Sequence, residues 1–143
     1  MNFIAEIIDV AWRFRSVFFE GMLGTLQLAS ITVFFGTLLG ALVALLRMSR
    51  SKILSTVAKL YIDIIRGTPM LVQLYIFYMF VPQMIPALKA LNLPEYFYIV
   101  LSLVVNSAAY VSEIIRSGIQ AVDKGQTEAA RSLGMSASHC MTR

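Results

Sequence analysis

Three long stretches of this chain carry no charged side chain: residues 21–46, 67–88 and 96–112. Crossing the hydrocarbon core of a bilayer, about 30 Å thick, takes roughly 20 apolar residues in a helix. The first stretch is ample and the second sufficient. The third reaches that length only if its helix continues past Glu113. Backbone polar groups in lipid must find partners inside their own segment, so the spans are expected to be helices. Composition points the same way, with 58% hydrophobic and 14% charged residues, where soluble domains carry about a quarter charged. The chain is read as an all-α integral membrane protein. No nucleophile, base and acid converge in its sequence, and no deep aqueous active site is expected.

A formal net charge of +4 invites a nucleic-acid reading, but the distribution of the charges argues against it. Arg47, Arg50, Lys52, Lys59 and Arg66 fall between the first two apolar stretches, and Arg116, Lys124, Arg131 and Arg143 follow the third. Only Lys89 lies between the second and third, and Arg13 and Arg15 are offset by Glu6, Asp9 and Glu20. Basic residues mark cytoplasmic loops. With the N-terminus outside, nine of the twelve Lys and Arg residues fall on the cytoplasmic side. Residues 1–10 have no basic region ahead of their apolar residues, so they do not read as a secretory signal. Instead Phe3, Ile4, Ile7, Ile8, Ala11, Trp12 and Phe18 recur at helical spacing. Residues 1–20 are therefore expected to form an interfacial segment on the membrane surface. Cys140 is the sole cysteine, which excludes an intrachain disulfide. With no second pair of donors beside His139 and Cys140, no metal site is expected.

Within the first span, Gly36 and Gly40 form a Gly-x-x-x-Gly pattern that lets a neighbouring helix approach closely. Gln27 and Thr32 are candidates for hydrogen bonds across helices. Residues 51–65 are apolar but interrupted by Lys52, Lys59 and Asp63. They read as a helix along the cytoplasmic interface that rises into the membrane. Arg66-Gly67-Thr68-Pro69 then breaks the chain: Gly67 suits a helix end, Thr68 a cap for the next helix, and Pro69 its first turn. Pro82 and Pro86 are expected to end or kink the second span. In the third span Ser102, Asn106, Tyr110, Glu113 and Ser117 follow one another at spacings of four, four, three and four, which is one helix face. A polar stripe on a membrane helix should face protein or a watery path. Asn106, Tyr110 and Glu113 are the candidates for a translocation path; packing, or pairing of Glu113 with Arg116, is the competing reading.

After Ala121 the chain turns polar, and residues 125–134 are built of good helix formers, with Gly134 placed to end the helix. Its apolar contacts, Ala129, Ala130 and Leu133, make a low ridge that suits a groove in another protein. Taken alone, Glu128-Ala129-Ala130-x-x-x-Gly134 is a weak signal. It gains specificity from the segments before it: Gly24-Thr25-Leu26-Gln27-Leu28-Ala29, then Tyr61 through Arg66-Gly67-Thr68-Pro69-Met70-Leu71-Val72-Gln73-Leu74, then Asn106-Ser107-Ala108-Ala109-Tyr110-Val111-Ser112-Glu113 through Gln120, and finally Gly125-Gln126-Thr127-Glu128-Ala129-Ala130 to Leu133-Gly134-Met135-Ser136. In order and spacing the chain resembles the permease subunits of bacterial ATP-binding-cassette (ABC) importers, specifically the polar amino acid uptake family. The likeness runs from about residue 20 to residue 137.

The resemblance implies a type I importer permease fold (MetI-like), with an ABC transmembrane type-1 domain over 21–143. Its first three transmembrane helices and the coupling helix would be present, and its last two spans missing. It implies a protein of the bacterial inner membrane that is not itself an enzyme. Gly125, Glu128, Ala129, Ala130, Leu133 and Gly134 would form the coupling helix that docks on a cytoplasmic ABC ATPase. The other implied partners are a second permease subunit, identical or not, an extracytoplasmic amino-acid-binding protein, and membrane lipid. No cofactor is expected on this chain. It has no Gly-x-x-x-x-Gly-Lys-Ser/Thr phosphate loop, so ATP would be used by the partner. Two alternatives stay open: a small ion-coupled transporter or channel built on Glu113, and a nonfunctional truncated remnant.

Overall fold

A computed structural model describes residues 3–136 together with His139 and Cys140. Every regular element among them is helical: α1 (Phe3–Arg13), α2 (Arg15–Arg47), α3 (Lys52–Gly67), α4 (Met70–Met84), α5 (Pro86–Ala90), α6 (Glu95–Gln120) and α7 (Lys124–Ser132). Arg143, counted above among the basic residues of the C-terminal side, lies outside the described residues.

α1 is exposed along its described length, with Phe3, Ile4, Ile7, Ile8 and Trp12 among its exposed side chains. Glu6 stands in its first turn and Arg13 in its last, each on the favourable side of the helix dipole. At the joint with α2 the Arg15 guanidinium lies 4.8 Å over the Trp12 ring, and it donates to the Trp12 carbonyl oxygen at 3.2 Å. The first long helix begins here, ahead of the uncharged stretch that starts at residue 21: residues 15–20 contain no proline or glycine, and Gly21 is carried inside the helix. α2 is long and apolar enough to span a bilayer. Its hydroxyls are tied back to its own carbonyls: Thr25 donates to Gly21 at 2.8 Å and Ser30 to Leu26 at 2.7 Å, which hides them from lipid.

α2 packs on α6 through Gly36 and Gly40. A Cβ on Gly36 would stand 2.7 Å from Ser107 Oγ and 2.9 Å from Ser107 Cβ. A Cβ on Gly40 would stand 2.8 Å from Val111 Cβ and 3.0 Å from the Ala108 carbonyl oxygen. The close partner expected for the Gly-x-x-x-Gly pattern is therefore α6 of the same chain. Both contacts advance together along the two sequences, so α2 and α6 run parallel. Parallel neighbours need the chain to return between them, and the pair α3–α4 makes that return. The expected cross-helix bond from Thr32 is not formed, since its buried Oγ1 has no hydrogen-bond partner. Gln27 stands exposed on α2.

α3 folds back against α2 through a small core of Val43, Ala58 and Ile62, flanked by Leu39, Leu46 and Tyr61. Arg47 and Ser55 lock the corner: Arg47 Nη1 donates to Ser55 Oγ at 3.0 Å, and Ser55 Oγ donates to the Arg47 carbonyl at 2.9 Å. α3 and α4 meet at a 104° bend. α4 widens to a π-type turn over Ile76–Phe80, where Val81 N–H bonds the Ile76 carbonyl. Proline lacks an N–H and clashes with the carbonyl four residues back; the wide turn sits where Pro82 would otherwise strain the helix. Pro86 opens α5 after the break at Ile85. α6 runs to Gln120, past Glu113, so the third span attains its full length.

Candidate functional site

The polar stripe of α6 divides into three kinds of position. Ser102 is buried, 1% exposed, and its Oγ has no hydrogen-bond partner. Asn106 is half-buried and meets α4, where its Nδ2 donates to Gln73 Oε1 at 2.9 Å. Tyr110 is exposed, with the Arg66 guanidinium 5.4 Å from its ring centroid. Glu113 accepts from Arg116 Nη2 at 2.6 Å and from Arg116 Nε, shared between both carboxylate oxygens, at 3.0 and 3.1 Å, and lies 4.0 Å from Arg66. Ser117 turns outward and bonds its own helix at the Ile114 carbonyl. Asn106, Tyr110 and Glu113 thus gather at one place, opposite the bend between α3 and α4.

That bend has its own polar dressing. A helix end leaves carbonyls without partners. Thr68 Oγ1 donates back to the Ile64 carbonyl at 2.9 Å, so Thr68 closes α3 rather than capping α4. Pro69 stands at the start of α4, with its carbonyl accepting from Val72 and Gln73. Gln73 Nε2 reaches the Ile65 carbonyl at 2.6 Å and the Thr68 carbonyl at 3.1 Å. From α3, Tyr61 Oη donates to the Val105 carbonyl of α6 at 2.6 Å. Sequence reasoning did not single out Gln73 or Arg66 as site residues. The available signal was an amide in the otherwise apolar residues just after a helix break.

The second region is α7. Asp123 caps it, its Oδ1 accepting from Gly125 N–H at 2.6 Å. At the other end Gly134 N–H bonds the Arg131 carbonyl at 3.0 Å and Met135 N–H the Ala130 carbonyl at 3.1 Å, a Schellman ending. Gly134 takes φ +83°, which glycine reaches without a Cβ penalty. Gly125, Glu128, Ala129 and Leu133 are exposed, Leu133 at 86%, and Ala130 is half-buried. Only residues 121–123 separate α7 from α6, and α6 is packed at backbone distance against α2. At the opposite end of α6, a cavity of about 330 Å³ is lined by Tyr78, Gln83, Lys89, Asn92 and Glu95 among others. There Tyr78 Oη donates to Glu95 Oε2 at 2.8 Å.

Comparison with known proteins follows the same residues. The family described as binding-protein-dependent transport system inner membrane component matches residues 36–143. A nopaline transport system permease protein of Agrobacterium fabrum is 44% identical over 117 residues, covering 78% of this chain and 48% of its own length. An arginine transport system permease protein of Bacillus subtilis is 40% identical over 116 residues, covering 81% of this chain and 51% of its own length. The chain thus spans about half the length of the curated relatives it matches. A chain in a crystal structure of an amino acid ABC transporter with histidines superposes with a TM-score of 0.82 at 42% identity, covering 99% of this chain and 61% of that one. With the family match, these identities and that superposition agreeing, the chain belongs to the binding-protein-dependent transport system inner membrane components.

Proposed function

We propose that the chain acts as the transmembrane part of an ATP-driven amino acid importer. The observation that carries this reading is α7: a capped, exposed helix with an unburied Leu133, joined by three residues to the polar-striped helix α6. A small-residue helix held in a groove of an ABC ATPase would pass rigid-body motion to α6. Gly125, Glu128, Ala129, Ala130, Leu133 and Gly134 form the docking surface, and Asn106, Tyr110 and Glu113 line part of the translocation path. The basic residues around Arg47 and Arg116 support a cytoplasmic α7 and an N-terminus outside. An extracytoplasmic binding protein delivers the amino acid, a second permease subunit completes the path, and the ATPase uses the ATP. The relatives' names support an amino acid as cargo. The ion-coupled alternative built on Glu113 loses support, because that carboxylate is already held by Arg116.

Cross-linking tests the docking. With Cys140 replaced by serine, Leu133→Cys should cross-link to the ATPase in the assembled transporter, while Asn92→Cys should not. Equal cross-linking from both positions, or none from Leu133→Cys, would count against the assignment.

A further inference from the structure

Gln73 is 5% exposed, and its carboxamide is used from both sides. Its Nε2 faces the carbonyls of Ile65 and Thr68, which require a donor, so the amide orientation is fixed by its surroundings. Oε1 is thereby turned to α6, where only a donor can meet it, and Asn106 must present Nδ2. The chain of constraint runs from the broken end of α3, through Gln73, to the orientation of Asn106. Non-helical backbone at membrane depth persists only where protein groups satisfy it. One side chain does this here while also setting a stripe residue on the helix that leads to α7.

We propose that Gln73 is a positioning residue for transport: it ties the α3–α4 break to α6 and holds Asn106 with Oδ1 turned away from the break. The proposal rests on the transport reading above. When α7 moves, α6 can shift against α4 only by stretching or remaking the Gln73–Asn106 bond, so that bond registers the two halves of the path.

The test is uptake by the assembled transporter in proteoliposomes, with ATPase activity read in parallel, between pH 5.5 and pH 8. Gln73→Glu keeps the shape but, when ionised, cannot donate to Ile65 or Thr68; protonated, its single O–H can donate to one of them. Gln73→Leu can never donate. Uptake per ATP hydrolysed should fall about tenfold in Gln73→Glu at pH 8, the scale of one lost buried hydrogen-bonded group, and recover on acidification. Gln73→Leu should fall at every pH. The charged neighbours Arg66, Glu113 and Arg116 are paired with one another and unchanged in both variants, so the unsubstituted transporter controls for them. If Gln73→Glu does not assemble, Asn106→Asp, which changes only the α6 side of the bond, should show the same pH-reversible loss. Uptake in Gln73→Glu and Gln73→Leu matching the unsubstituted protein at all pH values would overturn the proposal, as would a pH-independent loss in both acidic variants. Absence of ATP-driven uptake in the unsubstituted transporter would instead sink the transport reading itself.

Discussion

The parallel packing of α2 on α6 makes a quantitative prediction about Gly36. A methyl group there would lie 2.7 Å from Ser107 Oγ and 2.9 Å from Ser107 Cβ, with the next atom, the Val104 carbonyl oxygen, at 3.7 Å. Carbon atoms prefer separations of about 3.5–4.0 Å, so one of the helices must give. A rotamer change moves Oγ but cannot move Cβ. Gly36→Ala is therefore expected to destabilise the packed pair by about 1–3 kcal/mol, the usual cost of overpacking, less about 1 kcal/mol gained from alanine's helix propensity. Ser107→Gly removes both close atoms at once. The double variant Gly36→Ala/Ser107→Gly should thus be more stable than the sum of the single effects predicts, with a coupling of about 1–2 kcal/mol. Gly40 supplies a contrast: besides the Val111 side chain at 2.8 Å, its Cβ would meet the Ala108 backbone carbonyl at 3.0 Å, so removing the Val111 side chain relieves only part of the contact. Thermal unfolding in detergent, read for all members of the cycle, measures the coupling. Additive effects, or a Gly36→Ala variant more stable than the parent, would refute the close approach of these helices.

Other expectations follow from single contacts. Tyr61→Phe should lower stability by about 1 kcal/mol, the net worth of one hydrogen bond, seen as a few degrees in the same unfolding measurement. Asp123→Ala should cost about 1 kcal/mol through loss of the cap, and Gly134→Ala roughly 1–2 kcal/mol through its left-handed backbone. Both should appear as faster amide hydrogen exchange confined to α7, with Asp123→Asn close to the parent. Glu113→Gln should keep uptake dependent on ATP and indifferent to an imposed proton gradient. Gradient-driven uptake lost in that variant would revive an ion-coupled mechanism.

Much of the fold was readable from uncharged runs, because lipid demands helices and charge marks their ends. The break at Arg66-Gly67-Thr68-Pro69 and the ending at Gly134 were legible for the same kind of reason, since proline and glycine act locally. What stayed hidden depended on tertiary partners. Nothing in the order of residues says that Thr68 turns back to Ile64, that Gly36 meets Ser107, or that Gln73 reaches Asn106 across 33 positions of sequence. α2 starts ahead of the uncharged stretch because absence of charge marks lipid depth, whereas residues 15–20, Arg15 and Glu20 included, hold no helix breaker and extend the helix. Of the candidate site, the stripe on α6 was visible as a period; the amide opposite it was not, because one buried Gln in an apolar run carries no period at all.

The central claim is that α7 passes ATPase motion to α6, and Ala129→Asp tests it most directly. An unpaired carboxylate buried in a docking groove costs several kcal/mol, while the exposed position leaves α7 itself folded. In the assembled transporter, uptake per ATP hydrolysed should drop at least tenfold on the scale of that penalty, with the permease still inserted and the ATPase still able to hydrolyse ATP. Uptake and coupling ratio unchanged from the parent would contradict the account.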